Sequence, residues 1–352
     1  MIDFLIVGAG IAGISFAEIA RQNGRTVVLV DDYSTNSSRI AGGLYNPVIL
    51  KRFSEVWNAK LQLDFSIPFL KEIERKLQTQ FLYELPVLRK FASVEEQNNW
   101  FVACDKPSLS SFLSTEIIHK TYQSITSNFG FGQVFHTGYV EISILMDAYI
   151  NYLKSENAFL NETFVYNQLA IESDFVVYND ISYKQVVFAE GFGLRNNPFF
   201  NYLPLDGTKG ELLIIKAPLL NLDVVLKSSI FILPIGNDLF KVGATYNWED
   251  KTDLPTEEGK NELIDNLKEL IDCEFEIVKH FAGVRPTVND RRPLLGTHHL
   301  YKQLHILNGL GTRGVMLGPW LANGLFESIE SKNDLDPNIT IRRFDKRFGI
   351  KK

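Results

Sequence analysis

An apolar run, Phe4-Leu5-Ile6-Val7, passes without a break into Gly8-Ala9-Gly10-Ile11-Ala12-Gly13. Few folds accommodate that arrangement. A buried strand followed at once by glycines at G-x-G-x-x-G spacing suits the first turn of a dinucleotide-binding βαβ unit. Gly8 permits the tight turn, Gly10 lets a pyrophosphate approach the backbone, and Gly13 lets the helix pack on the sheet. The loop, with Ile11 and Ala12, then leads into a helix whose free N–H groups and positive dipole end favour the diphosphate without any basic side chain.

G-x-G-x-x-G by itself equally marks a plain strand-to-helix turn, so the flanking residues decide. A helix is expected over Ile14 to Gln22, broken at Asn23-Gly24, and a second apolar strand over Thr26 to Val30. That strand ends at Asp31, some twenty residues past Gly8, where an acid accepts both ribose hydroxyls. Asp32 takes the role if the strand ends one residue later. Strand, loop, helix, strand and acid are all in register for a dinucleotide site.

At 352 residues and 45% hydrophobic, the chain is long enough for two domains or one large interleaved body. Its formal net charge of −6 gives no general electrostatic reason to bind nucleic acid or an anionic membrane. The basic tail, Arg342-Arg343-Phe344-Asp345-Lys346-Arg347 and Lys351-Lys352, reads as a solvated end. Two cysteines, Cys104 and Cys273, form no C-x-x-C pair, so neither a disulfide framework nor a thiolate metal cluster is indicated, and a reducing cytoplasm fits. The apolar stretch to Ala20 has no basic region before it, carries Asp3 and Glu18, and is accounted for as strand, loop and helix rather than a signal peptide. No other run approaches a membrane span. The six histidines show no metal-ligand spacing and are expected on surfaces or loops; no metal is expected.

The centre of the chain interrupts the pattern. A polar loop, Tyr33 to Arg39, leads to Ala41-Gly42-Gly43-Leu44, where two glycines permit close approach to something flat or crowded, or form an ordinary turn. Helical spacing runs from Leu61 to Gln80, then mixed strand and loop from Phe81 to Gly132. Gly138-Tyr139-Val140 precedes an amphipathic helix with Leu145, Ala148, Tyr149 and Tyr152 on one face, followed by short strands at Thr163 to Tyr166 and Ala170 to Tyr178. A buried strand, Gln185 to Ala189, ends in Glu190-Gly191-Phe192-Gly193, small residues of the kind found where a parallel sheet opens onto its ligand. Dense β-formers at Thr208 to Lys216, Ser229 to Pro234 and Asp238 to Tyr246 indicate an antiparallel sheet, and Asn261 to Leu270 returns to helical spacing. The expected class is α/β: a Rossmann-like domain from residues 1–75, 138–206 and 282–352, interleaved with a mainly antiparallel substrate domain from residues 76–137 and 207–281.

A second strand, glycine loop and helix closes the pattern: Leu304 to Leu307, Asn308-Gly309-Leu310-Gly311-Thr312-Arg313-Gly314, and Val315 to Glu330. The helix start offers its dipole to charge on a reduced flavin. Here the residues resemble a family. Gly8 to Gly13 with Ala17, Asp31, the Ala41-Gly42-Gly43 loop, Gly243-Ala244-Thr245-Tyr246, Gly283-Val284-Arg285-Pro286 with Asp290, Pro293 to Gly296, and Gly309 to Pro319 are similar to the D-amino-acid oxidase superfamily of FAD-dependent oxidoreductases. The likeness is nearest to its glycine oxidase branch and to the flavin domain of bacterial tRNA wobble-uridine-modifying enzymes.

The resemblance implies noncovalent FAD, since no cysteine stands near Arg285 or the Gly309 loop. It also implies oxidation of a C–N bond beside a carboxylate by hydride transfer to flavin N5. Ser38, Gly42, Gly43, Leu44, Val165, Ala189, Gly191, Gly311, Thr312, Gly314, Val315 and Met316 join the first loop as cofactor contacts. Arg285 takes the carboxylate position, where a planar guanidinium grips in bidentate fashion, with Tyr246 and Arg313 beside it; the bland alternatives are a structural ion pair for Arg285 and a core aromatic for Tyr246. Lys241 is either a flavin neighbour or an exposed strand lysine. The partner implied is a small amine or amino acid; a tRNA substrate shares the chemistry but sits poorly with the charge of −6. A flavin-binding protein without turnover is the remaining alternative, and self-association is left open.

Overall fold

The computed structural model describes residues 1–34 and 37–350; Thr35 and Asn36 of the polar loop and Lys351-Lys352 of the basic tail lie outside the described residues. Strand Ile2–Val7 lies between Val27–Val30 and Ile181–Phe188, parallel to both, and Phe159–Leu160 and Leu304–Asn308 extend the parallel set on either side. Antiparallel strands Ala170–Ile171, Val176–Tyr178 and Leu294–Thr297 complete an eight-stranded sheet. Helices cover it. Phe4 and Ile6 face helices Ile11–Gln22 and Gly314–Ser331, with Phe4 and Phe16 edge to face at 5.2 Å, whereas Leu5 and Val7 pack with Tyr178, Phe188 and Ile306 on the opposite face. Burial on both faces explains why the sequence shows a continuous apolar run and not an alternation.

A second eight-stranded sheet runs in the order Glu276–Arg285, Thr208–Lys216, Leu239–Gly243, Phe231–Pro234, Val225–Lys227, Val87–Lys90, Phe131–Val134, Leu113–Ile118, antiparallel except between Val225–Lys227 and Val87–Lys90. Its two faces differ. Leu213, Ile215, Leu226, Ile232 and Val242 pack on Leu263 and Leu267 of helix Glu257–Lys268. Gly210, Leu212, Phe231, Gly283 and Arg285 look the other way, toward a cavity. The mixed α/β class stands as expected.

Local expectations needed correction in five places. The first helix starts at Ile11, not Ile14, because extended Gly10 already accepts the Ile14 N–H at 3.0 Å. No strand forms at residues 163–166, where a 3₁₀ turn covers Tyr166–Gln168 and the strand is the earlier Phe159–Leu160. Helix Val94–Cys104 occupies part of the segment expected as strand and loop, and Ser93 caps it by accepting the Glu96 N–H at 3.2 Å, an S-x-x-E start that the sequence did contain. His298 and His305 are buried rather than superficial: the His305 ring sits on a central strand between Thr297 Oγ1 at 3.0 Å and Gln185 Oε1 at 2.8 Å. The basic tail is not wholly solvated either, since Arg343 clamps Asp290 at 2.8 Å and donates to the Ile339 carbonyl. No helix among the described residues is long and apolar enough to cross a membrane.

Candidate active site

Loops from the carboxyl ends of the parallel strands and the sparse face of the second sheet enclose a cavity of about 1230 Å³. At one side stand Gly8, Gly10, Ile11 and Ala12. Gly8 has φ +103° and a Cβ there would lie 2.6 Å from the Ala189 carbonyl oxygen, so only glycine is tolerated. Gly10 differs: its φ is −70°, and an added Cβ would meet only the Ser38 side chain, at 3.1 Å. Gly10 therefore lines open space. Gly13 is outside the lining, because a Cβ there would sit 1.9 Å from the Gly8 carbonyl oxygen; it seats the helix against the turn.

Ser38 accepts from Ile11 N at 3.4 Å, yet helix Ile11–Gln22 has no side-chain cap of its own. Helix Gly314–Ser331 has none either, and Gly314 and Gly318 bring it within contact of Ile11. Two uncapped helix starts thus face one cavity, a donor set suited to a dinucleotide diphosphate and to the electron-rich edge of a flavin. Gly42, Gly43 and Leu44, then Ala189 and Gly191 at the strand end, and Gly311, Thr312, Gly314, Val315 and Met316 also line the cavity.

Asp31 and Asp32 part company. Asp31 reaches under the glycine turn, its Oδ2 accepting from Ala9 N at 2.6 Å and its Oδ1 from Tyr33 N at 2.7 Å, and burial raises its pKa. Asp32 turns outward to Ser34 N at 2.9 Å and Thr163 Oγ1 at 2.7 Å. Asp31, Asp32 and Val165 all lie outside the cavity lining; Val165 is exposed, and its amide N–H donates to the Tyr178 hydroxyl at 3.3 Å.

At the far side Arg285, Tyr246 and Arg313 converge. The Arg285 guanidinium lies across Gly210, in space that any Cβ would fill, and donates to the carbonyls of Lys209 at 3.1 Å and Thr245 at 3.2 Å. It stacks over the Tyr246 ring at 4.4 Å, and burial lowers its pKa while Tyr246 opposes the shift. Among the described residues no carboxylate pairs with Arg285 or Arg313. Tyr246 is 61% exposed and is not a core aromatic.

Lys241 is neither of the things expected: it is half-buried in an ion pair with Glu141 at 2.8 Å and outside the cavity. His280 is held by Glu211 at 2.7 Å, also outside it. Sequence reasoning missed Lys227, Phe231, Trp248 and Arg291, all of which line the cavity. The one local signal was Gly210 inside a run of β-formers, a mark of close approach.

Fold and cavity have the architecture of a dinucleotide-binding protein. A family model described as FAD dependent oxidoreductase matches residues 3–327, and the chain belongs to that family, whose cofactor is FAD. It is 29% identical over 150 residues to the tRNA 5-methylaminomethyl-2-thiouridine biosynthesis bifunctional protein MnmC of Campylobacter jejuni, a match covering 42% of this chain and 23% of that protein. It is 30% identical over 145 residues to glycine oxidase of Geobacillus kaustophilus, covering 39% of this chain and 38% of the relative. The matched segments therefore span well under half the length of these curated relatives. In fold, the crystal structure of iminodiacetate oxidase from Chelativorans superimposes with a TM-score of 0.79 at 16% identity, over 96% of this chain and 99% of that one.

Proposed function

We propose that this FAD-dependent oxidoreductase oxidises the C–N bond of an amino acid or secondary amine that bears a carboxylate. The observation that carries this reading is Arg285: a half-buried guanidinium without a carboxylate partner among the described residues, facing a cavity and backed by Tyr246 and Arg313. A carboxylate would complete its hydrogen bonding. FAD, when bound, supplies the hydride acceptor for a C–H bond beside the amine. Gly8, Gly10, Ile11 and Ala12 would hold its diphosphate, Asp31 its ribose, and the Gly311 to Met316 helix start its ring. Cys104 and Cys273 are both outside the cavity, which supports noncovalent binding.

Arg285 and Arg313 would fix the carboxylate and thereby hold the adjacent carbon in one orientation within the cavity. Tyr246 closes the outer side of that clamp. Neither His280 nor His305 reaches the cavity, and burial holds the His305 pKa down at about 3, which keeps its ring neutral. The side chains thus bind and orient, and the substrate amine enters as its own free base. Mixing the holoprotein anaerobically with amino acids and N-alkyl glycines should bleach the flavin band near about 450 nm. A primary isotope effect is expected when the reacting carbon carries deuterium, with a pH profile that follows the substrate amine. A solvent isotope effect alone would count against the reading.

A further inference from the structure

Lys227 presents a problem that the carboxylate clamp does not solve. It lies on strand Val225–Lys227, half-buried in the cavity wall, beside Arg89 of the neighbouring parallel strand. Glu96 neutralises Arg89, and Arg89 also donates to the Ser228 carbonyl at 2.8 Å. The Lys227 ammonium has only the Ser229 carbonyl, at 3.2 Å, and among the described residues no carboxylate within ion-pair distance. Burial, then Arg89, pull its pKa down to about 8. This corner of the cavity is short of one negative charge, and a half-buried cation without a counterion is costly.

The cavity as a whole leans the same way: Lys51, Arg52, Arg89, Lys227, Arg291 and the two clamp arginines line it, against Glu190 and Glu262. Register places Lys227 opposite Phe231, Phe231 opposite Gly243, and the Phe231 ring against Gly42. Lys227 therefore stands four strands away from the Arg285 strand in the same sheet, about 19 Å between backbones before the side chains reach inward. A ligand touching both must be extended. On the reading above the diphosphate would be held at the helix starts, which leaves Lys227 without a counter-charge.

We infer that Lys227 forms a second anion subsite, and that the substrate is an extended amine with one carboxylate at the reacting end, in the Arg285 clamp, and a second acid group farther along the chain, on Lys227. This rests on the carboxylate-amine reading above. The test uses the holoprotein and N-carboxymethyl ω-amino acids with spacers of roughly one to ten methylenes, compared with N-alkyl glycines of equal length. Binding is read from the flavin spectrum under anaerobic conditions.

The diacids should bind at least about tenfold tighter than the monoacids at an optimal spacer, the scale of one charge-assisted contact. Lys227→Met should abolish that advantage while changing monoacid binding less than about twofold, and Lys227→Arg should restore part of it. The advantage should also fade as pH rises through the Lys227 pKa, since the neutral amine cannot pair with an acid. Equal binding of diacids and monoacids, or equal losses for both in Lys227→Met, overturns the subsite and leaves the clamp standing. If no carboxylate of either series perturbs the flavin, the clamp reading falls and the subsite with it.

Discussion

The two sheets meet at one cavity and furnish it by opposite means. The parallel sheet presents backbone: Gly8, Gly10, Gly191 and Gly311 stand at strand or helix ends, and the donors they offer are main-chain N–H groups. The antiparallel sheet presents side chains, with Arg285 and Lys227 projecting from a face whose other residues include Gly210 and Gly283. The difference teaches where each kind of specificity resides. Backbone donors at helix starts suit an invariant diphosphate, whereas side chains on strands can be exchanged without altering the ladder that carries them.

The most severe break in this comparison is at Gly10. Its dihedrals suit any residue and its Cβ direction opens into the cavity, so Gly10→Val should fold yet lose FAD on purification, seen as a colourless protein with parental circular dichroism. Gly8→Ala should instead compromise folding itself, because of the positive φ and the Ala189 contact. A Gly10→Val protein as yellow as the parent would remove the diphosphate from this loop.

On the other sheet the expected effect is smaller and selective. Arg285→Ala should weaken carboxylate ligands by about 1.5–3 kcal/mol, roughly ten- to 150-fold, with FAD retained. Arg285→Lys should recover only part, since an ammonium has no fork. Should the alanine variant bind such ligands as the parent does, Arg313 becomes the carboxylate anchor. Tyr246→Phe should cost less than about twofold in ligand affinity because the ring under Arg285 survives; Tyr246→Leu, which removes the ring, should cost more, about 0.5–1 kcal/mol, roughly two- to fivefold.

The sequence disclosed the first sheet better than the second, and the reason is range. Phe4 to Gly13 and Leu304 to Val315 carry strand, turn and helix within a dozen residues, so periodicity and glycine spacing suffice. Lys227 and Phe231 reach the cavity only through the register of five antiparallel strands drawn from residues 208 to 285, which no local pattern encodes. His305 misled for a related reason: its partners Gln185 and Thr297 come from neighbouring strands, so a polar residue looked unsatisfied until the sheet was assembled. Val165 rested on resemblance alone, and the Tyr178 hydroxyl occupies its amide.

The mildest prediction asks whether the parallel sheet's own ionisable groups are structural. Burial depresses the His305 pKa to about 3 and that of His298 to about 4, so below about pH 6.5 the unfolded chain takes up protons that the native state refuses. Stability then falls with acidification, by about 1.4 kcal/mol per pH unit for each such proton, and His305→Gln should flatten that slope by one proton and leave the contribution of His298. Glu190 has the opposite sign. Burial raises its pKa to about 7 despite hydrogen bonds from Asn197 and Tyr166, so between about pH 4.5 and 7 the native state holds a proton that the unfolded chain has released, and stability falls as pH rises. Glu190→Gln should therefore remove the fall in stability between about pH 6.5 and 7 and, between about pH 4.5 and 6.5, steepen the acid-side slope set by the histidines, because the proton that opposed them is gone. Neither substitution should alter the diacid preference set by Lys227. If Glu190→Gln changed ligand affinity as much as stability, the parallel sheet would be supplying side-chain chemistry to the cavity after all, and the division of labour between the sheets would fail.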